Sequence, residues 1–436
     1  MLRAAVCRGD VAAAVGVLEA CLHGGGGGGS GGGKCRGLGA PCDSSENSVL
    51  HLMAERHAFV DVVALAVAAG CDVTARNKAL KTPVMVAAAC GDAAMLGALI
   101  HCGQAAGQHS DGSGGGGVCS APECGARLPV LPTSSAEAAA PPALTARDIV
   151  CLHKKNAWSA LMYAAKAGSL ACIQALLVHG ASVEEENKEG ATALYIAARE
   201  SPDAVAPDTL AALLAAGAVP THRTRSGRTP LLAAAAAGRV AAVQALCAAA
   251  GAPGLIAAAT DTSGVTVFHE MAASGHLPVL AALLAVLPPG NARAAQVNAR
   301  DTTGRTAVHY AAASGVPSMV AALLASGWEA DCADDRGCTP LYYAAMKDDV
   351  GALDVLLAAG AAPAGANPQR TALHVAAMWG ASAAITRLLQ ALAGAAGGVA
   401  AAIAARDRDG ATPAEVARAR GHAAAAAVLE CAIKNS

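Results

Sequence analysis

One short pattern recurs along the chain and constrains its fold more than any other feature. A Thr or Ser is followed by small and apolar residues and, in most copies, by an Ala-Ala pair, as in TPVMVAAACG and TALHVAAMWG. Ten such anchors are present: Ser48, Thr82, Ser159, Thr192, Thr229, Thr266, Thr306, Thr339, Thr371 and Thr412. Successive anchors are 34, 77, 33, 37, 37, 40, 33, 32 and 41 residues apart. A base period near 33 residues predicts a stack of small units rather than one globular core.

The residues of each copy predict a first helix, a second helix and a tight turn. The anchor hydroxyl can accept a hydrogen bond from an early helical amide, and a Gly nine residues later can end the first helix in the left-handed conformation. An apolar pair such as Leu176 and Leu177 marks the second helix, and Asp301 with Gly304 is typical of a tight turn. Three copies lack the cap Gly and should be less regular there: His57, Ser201 and Asp348.

Composition agrees with thin, closely packed units and excludes several classes of protein. Ala occurs 117 times and aromatic residues make up only 2% of the chain, whereas a single large core usually contains more large aromatic side chains. The net charge of −2 predicts no nucleic-acid partner. The apolar stretches are shorter than the roughly 20 residues of a membrane span. The 15 scattered cysteines favour a reducing compartment, so we expect a cytoplasmic protein, with the nucleus as the alternative.

Units of this length that open with a T-P-L-H-x-A-A pattern resemble ankyrin repeats. The resemblance covers nearly the whole chain except two inserts, and ten anchors in phase make it specific. It implies an all-α solenoid of stacked helix–turn–helix units with β-turn fingers. It also implies that the His three residues after an anchor supports the turn network between units. Four residues hold that position: His51, His269, His309 and His374.

The phase of the repeat divides the chain into five segments. Residues 1–23 fit a partial or capping repeat, residues 48–102 and 148–436 hold the repeats, and the last repeat forms a C-terminal cap. Residues 24–47 form a Gly-rich insert and residues 103–147 a second insert rich in Gly, Pro and Ser. Both inserts are predicted to be flexible, because their composition offers little to pack. An insert between units can loop out of the stack, since the entropy of loop closure grows slowly with length.

Three patterns resemble sites of catalysis or metal binding without completing them. The Gly-rich stretch that ends in Lys34 and Cys35 has the spacing of a phosphate-binding loop, but Cys replaces the required Ser or Thr. His269 and His276 are seven residues apart, whereas a zinc protease helix needs four. Four insert cysteines would form a zinc site only if the two inserts met: Cys35, Cys42, Cys119 and Cys124. We therefore predict no catalytic residue, no cofactor and no metal ligand.

A stacked array presents a long concave surface, lined by the turn tips and by first-helix positions that do not pack. In the phase of this repeat those positions are four, seven and eight residues after the anchor, and aromatic and Arg side chains often dominate interfaces. The predicted partner-binding residues are Tyr163, Lys166, Arg199, Glu200, Arg223, Arg225, Glu270, Tyr310, Tyr343, Met346, Lys347, Met378 and Trp379. For the Tyr side chains, packing between helices is the alternative.

The sequence thus predicts a non-enzymatic, monomeric interaction or scaffold module that binds one or more proteins through this surface. The alternative is a metal-clamped or switch-like regulatory protein whose activity lies in the Cys-containing inserts. A passive spacer within an assembly is a third reading. The repeat pattern does not choose a partner, because a fold fixes a surface and not its target.

Overall fold

Each of the ten anchors is the N-cap of a helix. The computed structural model describes residues 2–23, 43–57, 59–108, 158–287, 298–363, 370–393 and 398–435. Within these ranges the chain forms helices and turns without a strand, and the only β-type pairing there is a bridge between Thr260 and Thr266. The predicted all-α repeat architecture is confirmed.

The described helices belong to two compact units, Met1–Val219 and Pro220–Ser436, called unit 1 and unit 2. The helices of unit 1 are α1 (Leu2–Arg8), α2 (Val11–His23), α3 (Val49–Ala54), α4 (Val63–Ala68, preceded by a 3-10 turn at Val60–Val62), α5 (Pro83–Cys90), α6 (Ala93–Gln108), α7 (Ala160–Ala167), α8 (Leu170–Val178), α9 (Ala193–Glu200) and α10 (Ala206–Ala215).

The described helices of unit 2 follow in the same pairwise order. They are α11 (Pro230–Ala236), α12 (Val240–Ala250), α13 (Ala252–Ala258), α14 (Val267–Ser274), α15 (Leu277–Val286), α16 (Ala307–Ser314), α17 (Pro317–Ala325), α18 (Pro340–Met346), α19 (Val350–Ala358), α20 (Ala372–Trp379), α21 (Ser382–Leu392), α22 (Gly398–Ala404), α23 (Pro413–Ala419) and α24 (Ala423–Asn435). The short helices α13 and α22 lie in connections between repeats.

Each unit has two layers of helices, because every repeat contributes one helix to each layer. In unit 1 the first helices α1, α3, α5, α7 and α9 pack in sequence, as do the second helices α2, α4, α6, α8 and α10. In unit 2 the first-helix layer is α11, α14, α16, α18, α20 and α23, and the second-helix layer is α12, α15, α17, α19, α21 and α24. Each repeat therefore packs mainly on its neighbours, as in other solenoids.

Small side chains allow the first helices to lie close together. The Ala-Ala pairs that lie five and six residues after an anchor are fully buried, as at Ala311 and Ala312 in α16, which packs between α14 and α18. The first Leu of each apolar pair in the second helices is also fully buried, as at Leu176 and Leu323. The core of each unit is thus a thin layer of Ala, Leu and Val, and this explains how so few aromatic side chains suffice.

Two of the three repeats without a cap Gly still end their first helix in the left-handed conformation. His57 and Asp348 have φ angles of 56° and 57°, whereas Ser201 has a φ of −66° and is extended. His57 Nδ1 lies 2.8 Å from Asp92 Oδ2, and Asp348 Oδ1 accepts a 2.7 Å hydrogen bond from the Ala384 amide. These contacts with the next repeat offset the strain of a side chain at positive φ. The predicted irregularity is therefore found only at Ser201 among the three.

Regular backbone geometry extends into one end of each predicted insert, and the insert boundaries themselves remain predictions. Helix α6 continues to Gln108, six residues beyond the end of the repeat that precedes the second insert. At the end of the first insert, Asp43 Oδ1 accepts hydrogen bonds from the Ser45 and Asn47 amides and forms a turn. Residues 24–42 and 109–157 lie outside the described residues. So do Lys34 and the four insert cysteines, Cys35, Cys42, Cys119 and Cys124.

Candidate functional site

Four buried histidines connect each repeat to the turn before the next repeat. The Thr306 amide donates to His309 Nδ1 over 3.0 Å, and His309 Nε2 donates to the Cys338 carbonyl over 3.1 Å. The same two contacts recur at His51, His269 and His374. Since Nδ1 accepts a hydrogen bond from an amide, each ring is neutral and carries its proton on Nε2. The predicted structural role of these histidines is confirmed.

Two of the predicted partner-binding tyrosines hold the turn of their own repeat. The Tyr310 hydroxyl donates to Asp301 Oδ2 over 2.7 Å, and the Tyr343 hydroxyl donates to Asp334 Oδ2 over 2.8 Å. Arg305 Nη2 donates to the Tyr310 hydroxyl over 3.0 Å, and its guanidinium lies 4.8 Å from the centre of that ring. Both rings are half-buried. Their polar atoms are therefore already engaged within the chain.

In the Tyr310–Asp301 pair, the pKa values of both partners are shifted. Burial alone would raise the pKa of the Asp301 carboxyl, but hydrogen bonds from Tyr310, from the Arg305 amide and from Thr303 outweigh it and lower the pKa. Burial, followed by the hydrogen bond to Asp301, raises the pKa of Tyr310. Burial lowers the pKa of His309 to about 4. All three groups therefore keep one protonation state near neutral pH, as expected of structural groups.

A basic and aromatic cleft, here called the unit 1 cleft, opens on the first helices α5 and α7. Its volume is about 440 Å³, and its lining residues are Lys81, Ala89, Trp158, Tyr163, Lys166 and Ala167. The Trp158 and Tyr163 rings lie 5.2 Å apart, Lys81 Nζ is 4.7 Å from the Tyr163 ring centre, and Lys166 Nζ is 5.8 Å from that of Trp158. Two predicted residues, Tyr163 and Lys166, thus share one concavity.

In unit 2 an exposed aromatic side chain lies on the first-helix layer. Trp379 exposes 60% of its surface, and no other aromatic residue is among the exposed large hydrophobic residues of the described chain. Lys347 and Arg420, also exposed, occupy the same repeat position in the neighbouring repeats, and Met346 and Met378 precede Lys347 and Trp379. Their helices α18, α20 and α23 pack side by side. These five residues are called the Trp379 patch.

The remaining predicted residues divide between internal contacts and exposed positions. Glu270 forms an ion pair with Arg228, and Glu200 forms one with Lys166 over 2.8 Å. Arg223 donates to the carbonyls of Thr260 and Ala258 over 2.6 and 3.0 Å. Arg199 and Arg225 have exposed side chains. The position four residues after the anchor is not a uniform surface row, because it is buried at Ile196 and Val375.

Three residues that shape these surfaces were not among the sequence predictions. Asp334 belongs to a further Asp-x-x-Gly turn with Gly337, at the offset that Asp301 has from Thr306, so the repeat phase could have identified it. Trp158 could have been found as an aromatic residue directly before an anchor. Lys81 contacts Tyr163 across the long insert, and no spacing in the sequence signals that contact.

Possible metal-binding groups and one Cys–His contact bear on the chemistry of the described ranges. These ranges contain no group of three or more His, Cys, Asp or Glu placed to hold a metal ion. Cys332 Sγ lies 3.9 Å from His309 Nδ1, but burial raises the pKa of its thiol and His309 is neutral, so the pair is no activated nucleophile. No described helix combines the length and apolar character needed to cross a bilayer.

Comparison with known proteins agrees with the fold. A family profile described as ankyrin repeats matches the chain in three copies, over residues 143–224 and 268–367. Together with the stacked helix pairs and their His-to-turn bonds, this match shows that the chain contains ankyrin repeats. Ankyrin repeats generally serve as protein–protein interaction modules and are typically not enzymes. No curated protein matches the chain.

Proposed function

We propose that this chain is a non-enzymatic interaction or scaffold module that binds a protein through its first-helix surface. The observation that carries the proposal is the exposure of Trp379, 60%, in a unit whose other large side chains are mostly buried. Trp, Tyr and Arg dominate the energetics of protein interfaces, because they bury a large area while retaining polar contacts. The Trp379 patch combines such a side chain with two cations and two Met.

The composition of the Trp379 patch suits a protein surface that is partly apolar and partly acidic. Met346 and Met378 are half-buried and flexible, so they can adapt to an apolar side chain of a partner. Lys347 and Arg420 flank Trp379 along the layer and favour carboxylates at the rim of the interface. A nucleic acid is a poorer match, because it would need a longer row of cations.

Affinity capture with the full chain, followed by mass spectrometry, tests the proposal. We expect one or more proteins to be retained by the natural sequence and lost with Trp379→Ala. Val178→Ala is the matched control, since Val178 is 83% exposed but lies in the second-helix layer. Equal retention by all three chains would contradict the assignment of the surface. Absence of any saturable partner would instead support a passive spacer.

We also propose that the chain is a monomer of a reducing compartment, the cytoplasm or the nucleus. The side chains of Cys7 and Cys90 are exposed. Exposed thiols form unwanted disulfides in oxidising compartments. Fractionation of cells would test the compartment, and analytical ultracentrifugation would test the oligomeric state.

A further inference from the structure

The unit 1 cleft carries an inference that rests on the proposed function but concerns a second surface. We propose that the cleft binds a carboxylate side chain, Asp or Glu, from an acidic segment of a protein partner. The carboxylate would accept a hydrogen bond from the Tyr163 hydroxyl and lie beside Lys81. Three independent features of the chain lead to this assignment.

The first feature is a missing carboxylate beside Tyr163. In the Thr306 and Thr339 repeats, the Tyr hydroxyl donates to an Asp that lies nine residues earlier. The corresponding residue before Tyr163 is Lys154, so the sequence supplies no acid at that position. Within the described residues the Tyr163 hydroxyl makes no hydrogen bond. A carboxylate from outside the chain would restore the pairing that the other two repeats build internally.

The second feature is the position of Lys81 in the repeat. Arg228 directly precedes an anchor and forms an ion pair with Glu270, which lies four residues after the next anchor. Lys81 and Tyr163 hold these same two positions in unit 1. Lys81 therefore faces a neutral ring where Arg228 faces a carboxylate, and its ammonium has no acidic partner within the described chain. An acidic ligand would complete this contact also.

The third feature is the balance of charge and size around the cleft. Glu200 already neutralises Lys166 over 2.8 Å, and Asp92 is engaged by His57. Among the described lining residues, this leaves Lys81 as the cation that can attract an anion. The walls are the Trp158 and Tyr163 rings. A volume of about 440 Å³ accommodates one or two side chains rather than a folded domain. The cleft thus suits a short extended segment with a carboxylate and an adjacent apolar group.

Binding of a short acetylated peptide of alternating Glu and Phe to the full chain tests the proposal. The counterpart with Gln in place of Glu has the same size without the charge. Fluorescence anisotropy of labelled peptides, up to millimolar concentration, should show binding of the Glu peptide and at least about tenfold weaker binding of the Gln peptide, as expected for one charged hydrogen bond. Equal binding, or no binding of either peptide, would overturn the proposal.

Two variants locate the binding. Tyr163→Phe removes only the hydroxyl, and Lys81→Met removes only the charge, so each should weaken the Glu peptide by about tenfold. Lys188→Gln is the control, because it removes one charge from an exposed turn lysine and should leave binding unchanged. Far-UV circular dichroism and thermal melts confirm that each variant folds. Equal affinity of all four chains would contradict the site.

Failure of this inference is distinguishable from failure of the proposed function. Trp379→Ala lies in unit 2 and should not change binding of the Glu peptide. If the peptide does not bind but a captured protein still depends on Trp379, only the carboxylate site is wrong. Inorganic phosphate serves as a competitor: strong displacement by phosphate but not by acetate would assign the cleft to phosphorylated ligands instead.

Discussion

At the scale of single residues, Tyr310 shows how a side chain at a surface position can belong to the scaffold. Its ring is half-buried, and its hydroxyl joins Asp301 to Arg305. Tyr163 occupies the same repeat position, but its hydroxyl has no hydrogen-bond partner in the described chain. Tyr at the same repeat position therefore has two roles. Which role it takes depends on whether an Asp lies nine residues earlier in the sequence.

The two tyrosines give a matched pair of substitutions. Tyr310→Phe should lower the free energy of unfolding by roughly 1.5–3 kcal/mol, the usual contribution of a hydrogen bond to a charged group. Tyr163→Phe should change it by less than about 0.5 kcal/mol, as for most surface substitutions. Urea unfolding followed by circular dichroism measures both values. Equal losses would contradict the distinction between the two hydroxyls.

His309 makes stability depend on pH. It is 1% exposed, and burial lowers its pKa from 6.5 to about 4. Below pH 6.5 the unfolded chain takes up a proton at this residue while the folded chain does not, so stability is complete above pH 6.5 and falls as the pH drops toward 4. The loss from His309 alone should reach up to about 3 kcal/mol.

Urea unfolding at intervals between pH 7 and pH 4.5 measures this dependence. His51, His269 and His374 act in the same direction, because burial lowers the pKa of each. A His309→Gln variant should therefore be less stable at pH 7 but should lose less on acidification than the natural chain. Parallel curves for the two chains would show that His309 does not titrate as described.

At the scale of elements, the turn between repeats depends on what lies next to it. Gly304 and Gly410 end equivalent Asp-x-x-Gly turns with φ angles of 76° and 79°. A Cβ on Gly304 would lie 2.8 Å from the Asp335 amide nitrogen of the following turn. A Cβ on Gly410 would have no neighbouring heavy atom of the described chain within 4 Å. The two positions thus share a backbone conformation and differ in their neighbours.

Ala substitutions at these two positions separate local strain from packing. Gly410→Ala should cost roughly 1–2 kcal/mol, from the left-handed conformation alone. Gly304→Ala should cost at least about 1 kcal/mol more, because the neighbouring turn must also shift. Thermal unfolding of the two variants compares the effects. A similar decrease in both would mean that the contact between the turns does not constrain the array.

The elements that could be predicted from the sequence are those whose causes are local. Thr306 caps a helix and Gly315 ends it with a φ of 74°, because a hydroxyl and a missing Cβ act within one helical turn. Exposure of the first helices was less predictable, since Val375 is buried at the position where Tyr163 lines a cleft. That outcome depends on neighbouring repeats. The contact of Lys81 with Tyr163 could not be predicted, because the two residues are separated in the sequence by the long insert.

At the scale of the whole molecule, the repeat separates scaffold from surface. Buried Ala and Leu side chains recur at the same positions of most repeats, with a buried His in four of them, and hold each unit together. The positions at the ends of the first helices vary, and they place a basic aromatic cleft in unit 1 and Trp379 in unit 2. A fold that fixes its core by repetition can change these positions independently, which suits an interaction module.

The most direct test of the interaction role is the affinity of a captured partner for three chains. Isothermal titration should give a dissociation constant at least about thirtyfold weaker for Trp379→Ala than for the natural chain, since a central Trp often contributes 2 kcal/mol or more. Val178→Ala, on the second-helix layer, should bind as the natural chain does. If Trp379→Ala binds with unchanged affinity, or if Val178→Ala weakens binding equally, the first-helix surface of unit 2 is not the binding face.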